Sequence, residues 1–197
     1  MSEKPTYYDK RSDFWKRYWE RASPYGEYIS NAPAQHKARW QASEGRTPEL
    51  SEEQKEQLTG YGRALKVLVY CGIWCGDCAR QGPLLSSIAD VCGEKVEIRF
   101  IERDMSEELQ DELRIVGALR VPIVVFLSED FWEIERYGER TLSVYRSKQA
   151  REIGRGIDQG ILSPGARQAE LAEWMNIFER VLIMVRLSPP LRRRHND

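Results

Sequence analysis

The chain has 197 residues, 41% of them hydrophobic and 31% charged, with a formal net charge of −1. Such a composition excludes general disorder, and near-neutrality excludes strong bulk attraction to nucleic acid. The length is enough to bury a substantial core without covalent staples, so the four cysteines do not read as a disulfide framework.

Residues 1–62 read as a helical, polar but aromatic-rich extension holding 10 of the 20 aromatic residues. Disordered segments are poor in such side chains, so Phe14, Trp15, Tyr18, Trp19 and Trp40 are expected to pack on the main domain. The stretch SDFWKRYWERASP predicts a short helix, with Ser12 as its cap and Ser23-Pro24 as its stop. TPELSEEQKEQLTGYG predicts a second, capped by Ser51, with Glu52 and Glu53 in the first turn and Gly60 or Gly62 near its end. The opening twenty residues carry no apolar signal-like core, and no apolar run reaches the length of a membrane span. A cytoplasmic location without membrane attachment is the expectation.

Residues 63–140 alternate strand and helix patterns. ALKVLVY is a β-rich apolar run, and Gly76 to Cys92 reads as a helix with Leu84, Leu85, Ile88, Ala89 and Val91 following Pro83. KVEIRFIE alternates as a strand, and SEELQDELRIVG predicts a helix closed by Gly117. VPIVVFL is a buried strand and FWEIERYG a second, alternating one. Strand–helix–strand–helix followed by two close strands predicts an α/β sheet with a parallel part and a terminal hairpin.

Residues 141–197 are predicted helical. Leu171, Trp174, Met175, Phe178, Val181, Leu182 and Val185 form one apolar stripe that ends at SPP. It is expected to pack on its own domain. Ile177, Ile183 and Met184 widen it enough to admit a homodimer through this helix. Residues 140–197 carry 11 Lys and Arg against 6 Asp and Glu, a basic excess read as a solvated tail, with no nucleic-acid partner expected.

The chemistry concentrates in IWCGDCARQGP, residues 73 to 83. Cys75 falls where a strand ends and a helix begins, where unpaired N–H groups and the helix dipole favour thiolate. Thiolate is the nucleophile of disulfide exchange, and Cys78, one turn on, is placed to resolve the mixed disulfide.

WCGDC, the following Pro83 and RVPIVVF some forty residues later resemble the thioredoxin superfamily, in particular bacterial thioredoxin-like proteins with a WCGDC motif. The resemblance covers about residues 63 to 140. It implies a thioredoxin-like fold, with a mixed sheet of about four or five strands flanked by helices and with helical extensions at both ends. It also implies a thiol–disulfide oxidoreductase acting on protein disulfides through a redox-active Cys75/Cys78 pair. Pro122 matches the cis proline facing that pair, and Val121 the residue whose backbone meets substrate. Trp74 and Gly76 belong to the matching motif, with Trp74 lining the approach. Pro83 matches the proline that bends the helix, and Gly138 a glycine after the last strand. No bound cofactor or metal is implied; electrons come from a separate reductase. Two positions depart from the pattern. The family's buried aspartate six residues before the first cysteine is replaced by Val69, leaving Asp77 as the nearest proton carrier. Asp77 also places a carboxylate between the cysteines, which is expected to raise the thiol pKa and favour a reductant.

From residue types alone, other readings stay open. Cys71, Cys75 and Cys78 make the C-x3-C-x2-C spacing of some iron–sulfur sites, although the chain is short for the barrel such enzymes use. Zinc would need Cys71, Cys75, Cys78 and Cys92 to converge; Cys71 and Cys92 read more simply as small buried hydrophobes. A thioredoxin-like interaction module without redox turnover is the remaining alternative. His36 and His195 read as surface residues.

Overall fold

The computed structural model describes residues 7–196. In chain order the elements are α1 (Ser12–Arg21), α2 (Tyr25–Ser30), α3 (Ala34–Glu44), α4 (Glu52–Leu58), β1 (Leu65–Cys71), α5 (Gly76–Cys92) and β2 (Val96–Glu102). After one 3-10 turn follow α6 (Glu107–Glu112), β3 (Ile123–Ser128), β4 (Glu133–Gly138), α7 (Leu142–Ile153), α8 (Pro164–Leu187) and α9 (Pro189–His195). The four strands lie in the order β2-β1-β3-β4. β1 runs parallel to β2, from Leu65 opposite Val96 to Cys71 opposite Glu102, and antiparallel to β3. β3 and β4 close the sheet as an antiparallel pair. This is the mixed α/β sheet that the strand patterns predict, with helical segments on either side in sequence.

Register decides what covers each face. Val67, Val69 and Cys71 share a face with their partners Phe100, Phe126, Val124 and, beyond them, Tyr137. On that face Phe126 meets Phe178 of α8 with ring centroids 5.1 Å apart, Phe100 stacks on Tyr28 of α2 at 5.6 Å, and Trp40 of α3 meets Phe100 at 6.3 Å. The opposite face carries Leu68, Arg99 and Arg136. It receives α1, whose Trp19 lies 4.9 Å from the Arg99 guanidinium, and α6, whose Glu112 accepts from Arg136. With both faces covered, β1 and β3 are buried almost throughout, as continuous apolar runs require. The free edge of β2 is capped by Ser23, which exchanges two backbone hydrogen bonds with Phe100.

The aromatic residues of the first 62 positions belong to the same core as the sheet: Trp15, Tyr18, Trp19 and Trp40 are buried. α8 buries its expected stripe, while Ile183 and Met184 are partly exposed. Ser51 caps α4 with a full capping box to Gln54.

Four details differ from the sequence reading. Ser12 does not cap α1: Arg11 holds the N-cap position, and the Ser12 hydroxyl, buried inside the helix, donates to the Tyr8 hydroxyl. α6 stops at Glu112 rather than reaching Gly117. Val116 (φ 50°) and Gly117 (φ 73°) form a left-handed reversal that brings Ile115 and Ala118 into a two-bond bridge. The buried Leu109 and Leu113 anchor the short helix, and the reversal is what delivers the chain to Val121. β4 is half-buried along its length rather than alternating, because α8 covers one face and the Arg136 ion pairs occupy the other. α2 and α3, each preceded by a proline, are additional helices with only a weak sequence signal.

Candidate active site

Cys75 is the N-cap residue of α5 and makes no side-chain capping bond, so its sulfur is free to face outward. It is partly exposed, whereas Cys78, one turn on, is fully buried. All four cysteines are free thiols. The Cys75 thiol lies 3.9 Å from the Val121 carbonyl oxygen, and the Val121–Pro122 peptide bond is cis. Tertiary structure thus brings two segments 46 positions apart in sequence to one point. Cys78 Sγ accepts from the Gly72 backbone N–H at 3.4 Å.

The other sequence-selected residues lie around this pair. Trp74 is 39% exposed, its ring under the Arg103 guanidinium at 4.6 Å and over Gly72. Gly76 is exposed at the helix start, and Val121 and Pro122 are buried beneath the groove. Pro83 sits within an unbroken α5. Gly138 has no room for a side chain, since a Cβ there would lie 3.0 Å from the Pro122 carbonyl and 2.8 Å from Ile123. Cys71 is buried on β1, and Cys92 lies at the far end of α5 from Cys75. Among the described residues, no three His, Cys, Asp or Glu side chains gather so as to hold a metal ion.

The electrostatics correct the expected role of Asp77. Its carboxylate is not directed at the thiols but held by Arg80 at 3.0 Å and Arg140 at 2.7 Å. Two guanidinium groups offset its charge, and the backbone N–H of Asp77 favours the Cys75 thiolate. The Cys75 thiol is nonetheless pushed well up, first by the hydrogen bond it shares with Cys78 and then by burial. Burial pushes the Cys78 thiol up as well. Alkylation of Cys75 by iodoacetamide is therefore expected to accelerate with pH through the ordinary thiol value of 9.0. A rate profile that levels off below pH ~7, the value of a thioredoxin-type thiol, would contradict this assignment.

Several site residues carried no sequence signal. Glu102, at the end of β2, accepts from the Ile73 backbone N–H at 3.1 Å and from the Tyr28 hydroxyl at 2.5 Å. Burial, then the charge of Cys71, raises the Tyr28 pKa, with Glu102 and Cys78 adding to the effect. Through both hydrogen bonds Glu102 ties α2 to the turn that carries Cys75. Trp40 Nε1 donates to the Ile73 carbonyl at 2.9 Å and Arg39 to the Trp74 carbonyl at 2.8 Å, so α3 braces the turn before Cys75. Only the i,i+3 pairing of Asp77 with Arg80 is readable from spacing.

A family model described as thioredoxin matches residues 23–150. Among solved structures, the chain is similar to a protein of unknown function, PA1234, from Pseudomonas aeruginosa. The TM-score is 0.62 at 18% identity, with 83% of this chain and 93% of that chain covered. It is also similar to an HIV epitope-scaffold, with a TM-score of 0.59, 18% identity, and coverage of 87% of this chain and 94% of the other. These two likenesses are ones of fold. No curated protein matches.

Proposed function

This chain belongs to the thioredoxin family, and we propose that it is a dithiol–disulfide oxidoreductase that reduces protein disulfides through Cys75 and Cys78. The observation that carries this reading is the placement of a partly exposed thiol at the N-cap of α5, 3.9 Å from the Val121 carbonyl, with a buried second thiol one turn behind it.

The Cys75 thiolate attacks one sulfur of the substrate disulfide. A Cys75–substrate S–S bond forms, and the other substrate sulfur leaves as thiolate and takes a proton. Cys78 then loses its proton and attacks Cys75 Sγ. The mixed disulfide breaks, the second substrate thiol is released, and the protein keeps a Cys75–Cys78 disulfide. An external dithiol reductase restores the pair. The helix N-terminus supplies the field that draws out the first thiolate, and burial of Cys78 keeps the resolving thiol protonated until the mixed disulfide has formed. With both thiol pKa values raised, the reduced form holds its electrons loosely, and reductant is the direction supported.

The reading is tested by trapping. A Cys78→Ser variant incubated with an oxidised protein is expected to accumulate a mixed disulfide on Cys75 that dithiothreitol releases. Absence of any Cys75-linked adduct would remove the assigned order of attack.

A further inference from the structure

Beside Cys75 lies a cleft of about 480 Å³ whose lining includes Arg39, Arg46, Asp77, Arg80 and Leu162 together with Cys75 itself. Arg46 and Arg80 also line an adjoining cleft of about 430 Å³ that ends on Arg167. One wall comes from α3 and the loop after it, the other from residues 161–168, so the extensions enclose space next to the reactive sulfur.

Its charge is unbalanced. Arg80 and Arg167, 3% and 4% exposed, share the buried carboxylate of Glu170. Arg80 also pairs with Asp77, which Arg140 already holds. Arg80 Nε and Arg167 Nη2 have no hydrogen-bond partner among the described residues. Arg39 and Arg46 are exposed on the cleft wall and have no carboxylate partner among the described residues. Exposed arginines without a carboxylate partner, in a concave site backed by a buried third, make a receptor for an oxyanion. A cleft of this volume suits a small-molecule-sized group.

We infer that this cleft selects the substrate: the disulfide attacked by Cys75 carries a carboxylate close to its sulfur, and that carboxylate binds at Arg46 and Arg39, backed by Arg80. The inference rests on the disulfide-exchange reading above and names the substrate class for the same site. The reduced pair supplies both electrons. Each substrate sulfur leaves as a thiol, and the anion takes no part in bond exchange.

The test is single-turnover oxidation of the reduced full-length protein by dithiodipropionate, bis(hydroxyethyl) disulfide and cystamine, which are anionic, neutral and cationic. Each rate is divided by the rate of the same probe with dithiothreitol, which removes intrinsic reactivity. The anionic probe is expected to react about tenfold faster than the neutral one, with cystamine slowest. Arg46→Gln should lose most of that preference, and Arg146→Gln, an exposed charge on α7, should keep it. Peptide disulfides flanked by glutamate or by glutamine form a second arm. A preference shown by the glutamate peptides and not by dithiodipropionate assigns the carboxylate to a protein side chain, and one shown by dithiodipropionate and not by the peptides assigns it to a small thiol; both support the site. Equal normalised rates for all charges, or a preference that Arg46→Gln leaves intact, would overturn the site while the neutral probe still reports exchange at Cys75. If Cys75→Ser is oxidised by the neutral probe as fast as wild type, the exchange reading itself fails.

Discussion

Insulin reduction by the Cys75→Ser variant, with dithiothreitol as electron source, is expected to fall to the uncatalysed rate. The loss should be on the order of 10³-fold or more, the scale on which enzymes lose activity with their nucleophile. The cause is chemical rather than structural. A serine hydroxyl is un-ionised at neutral pH and forms no bond to sulfur that Cys78 could resolve. The position is a partly exposed N-cap without a capping bond, so serine fits there without strain and would even cap α5. The variant should therefore unfold no earlier than wild type in urea. Equal insulin reduction by both proteins would eliminate Cys75 as the nucleophile. A matching loss of urea stability would mean the assay had measured folding.

The second large effect is on stability. Trp40 is fully buried between α5, α2 and β2, and its removal in Trp40→Ala is expected to cost about 3–5 kcal/mol, the range for deleting a buried tryptophan. Its ring lies where a side chain at Gly82 would stand: a Cβ there would be 2.2 Å from Trp40 Cζ3. Gly82→Ala alone must then displace α3 or strain α5, at a cost of about 1–3 kcal/mol. In the Trp40→Ala background the obstruction is gone. The same Gly82→Ala change should become neutral or stabilising by up to about 1 kcal/mol, because alanine is the better helix residue. Urea denaturation of the four proteins measures this sign reversal. Strictly additive costs would show that Trp40 and Gly82 do not share this contact. Because Trp40 Nε1 also holds the Ile73 carbonyl, Trp40→Ala should lower exchange activity as well, by loosening the turn that presents Cys75.

Much of this protein is readable without its structure, for a local reason. A largely apolar strand, a helix beginning at Gly76 and a capping box at Ser51 are each set by side chains within a few positions of one another, and each stands where spacing predicts it. The two thiols are one turn apart by the geometry of any helix. Their link to Val121 and Pro122 was legible only through resemblance to a family, since nothing local joins positions 46 residues apart.

Tertiary structure alone decided the electrostatics. Asp77 read in isolation is a negative charge beside a thiolate. In the fold Arg140, 63 positions later, and Arg80, itself engaged by Glu170 from α8, hold that carboxylate. Glu102 reaches the active-site turn because β2 lies parallel to β1 in a register that sets it opposite Cys71. The cleft at Arg39 and Arg46 exists because Trp40 seats α3 on a glycine of α5. The sequence by itself determined that two thiols stand together, because Cys75 and Cys78 are neighbours along one helix. Only the tertiary structure decided their charge environment and what can approach them, because Coulomb and packing interactions depend on distance in space, which chain position does not encode.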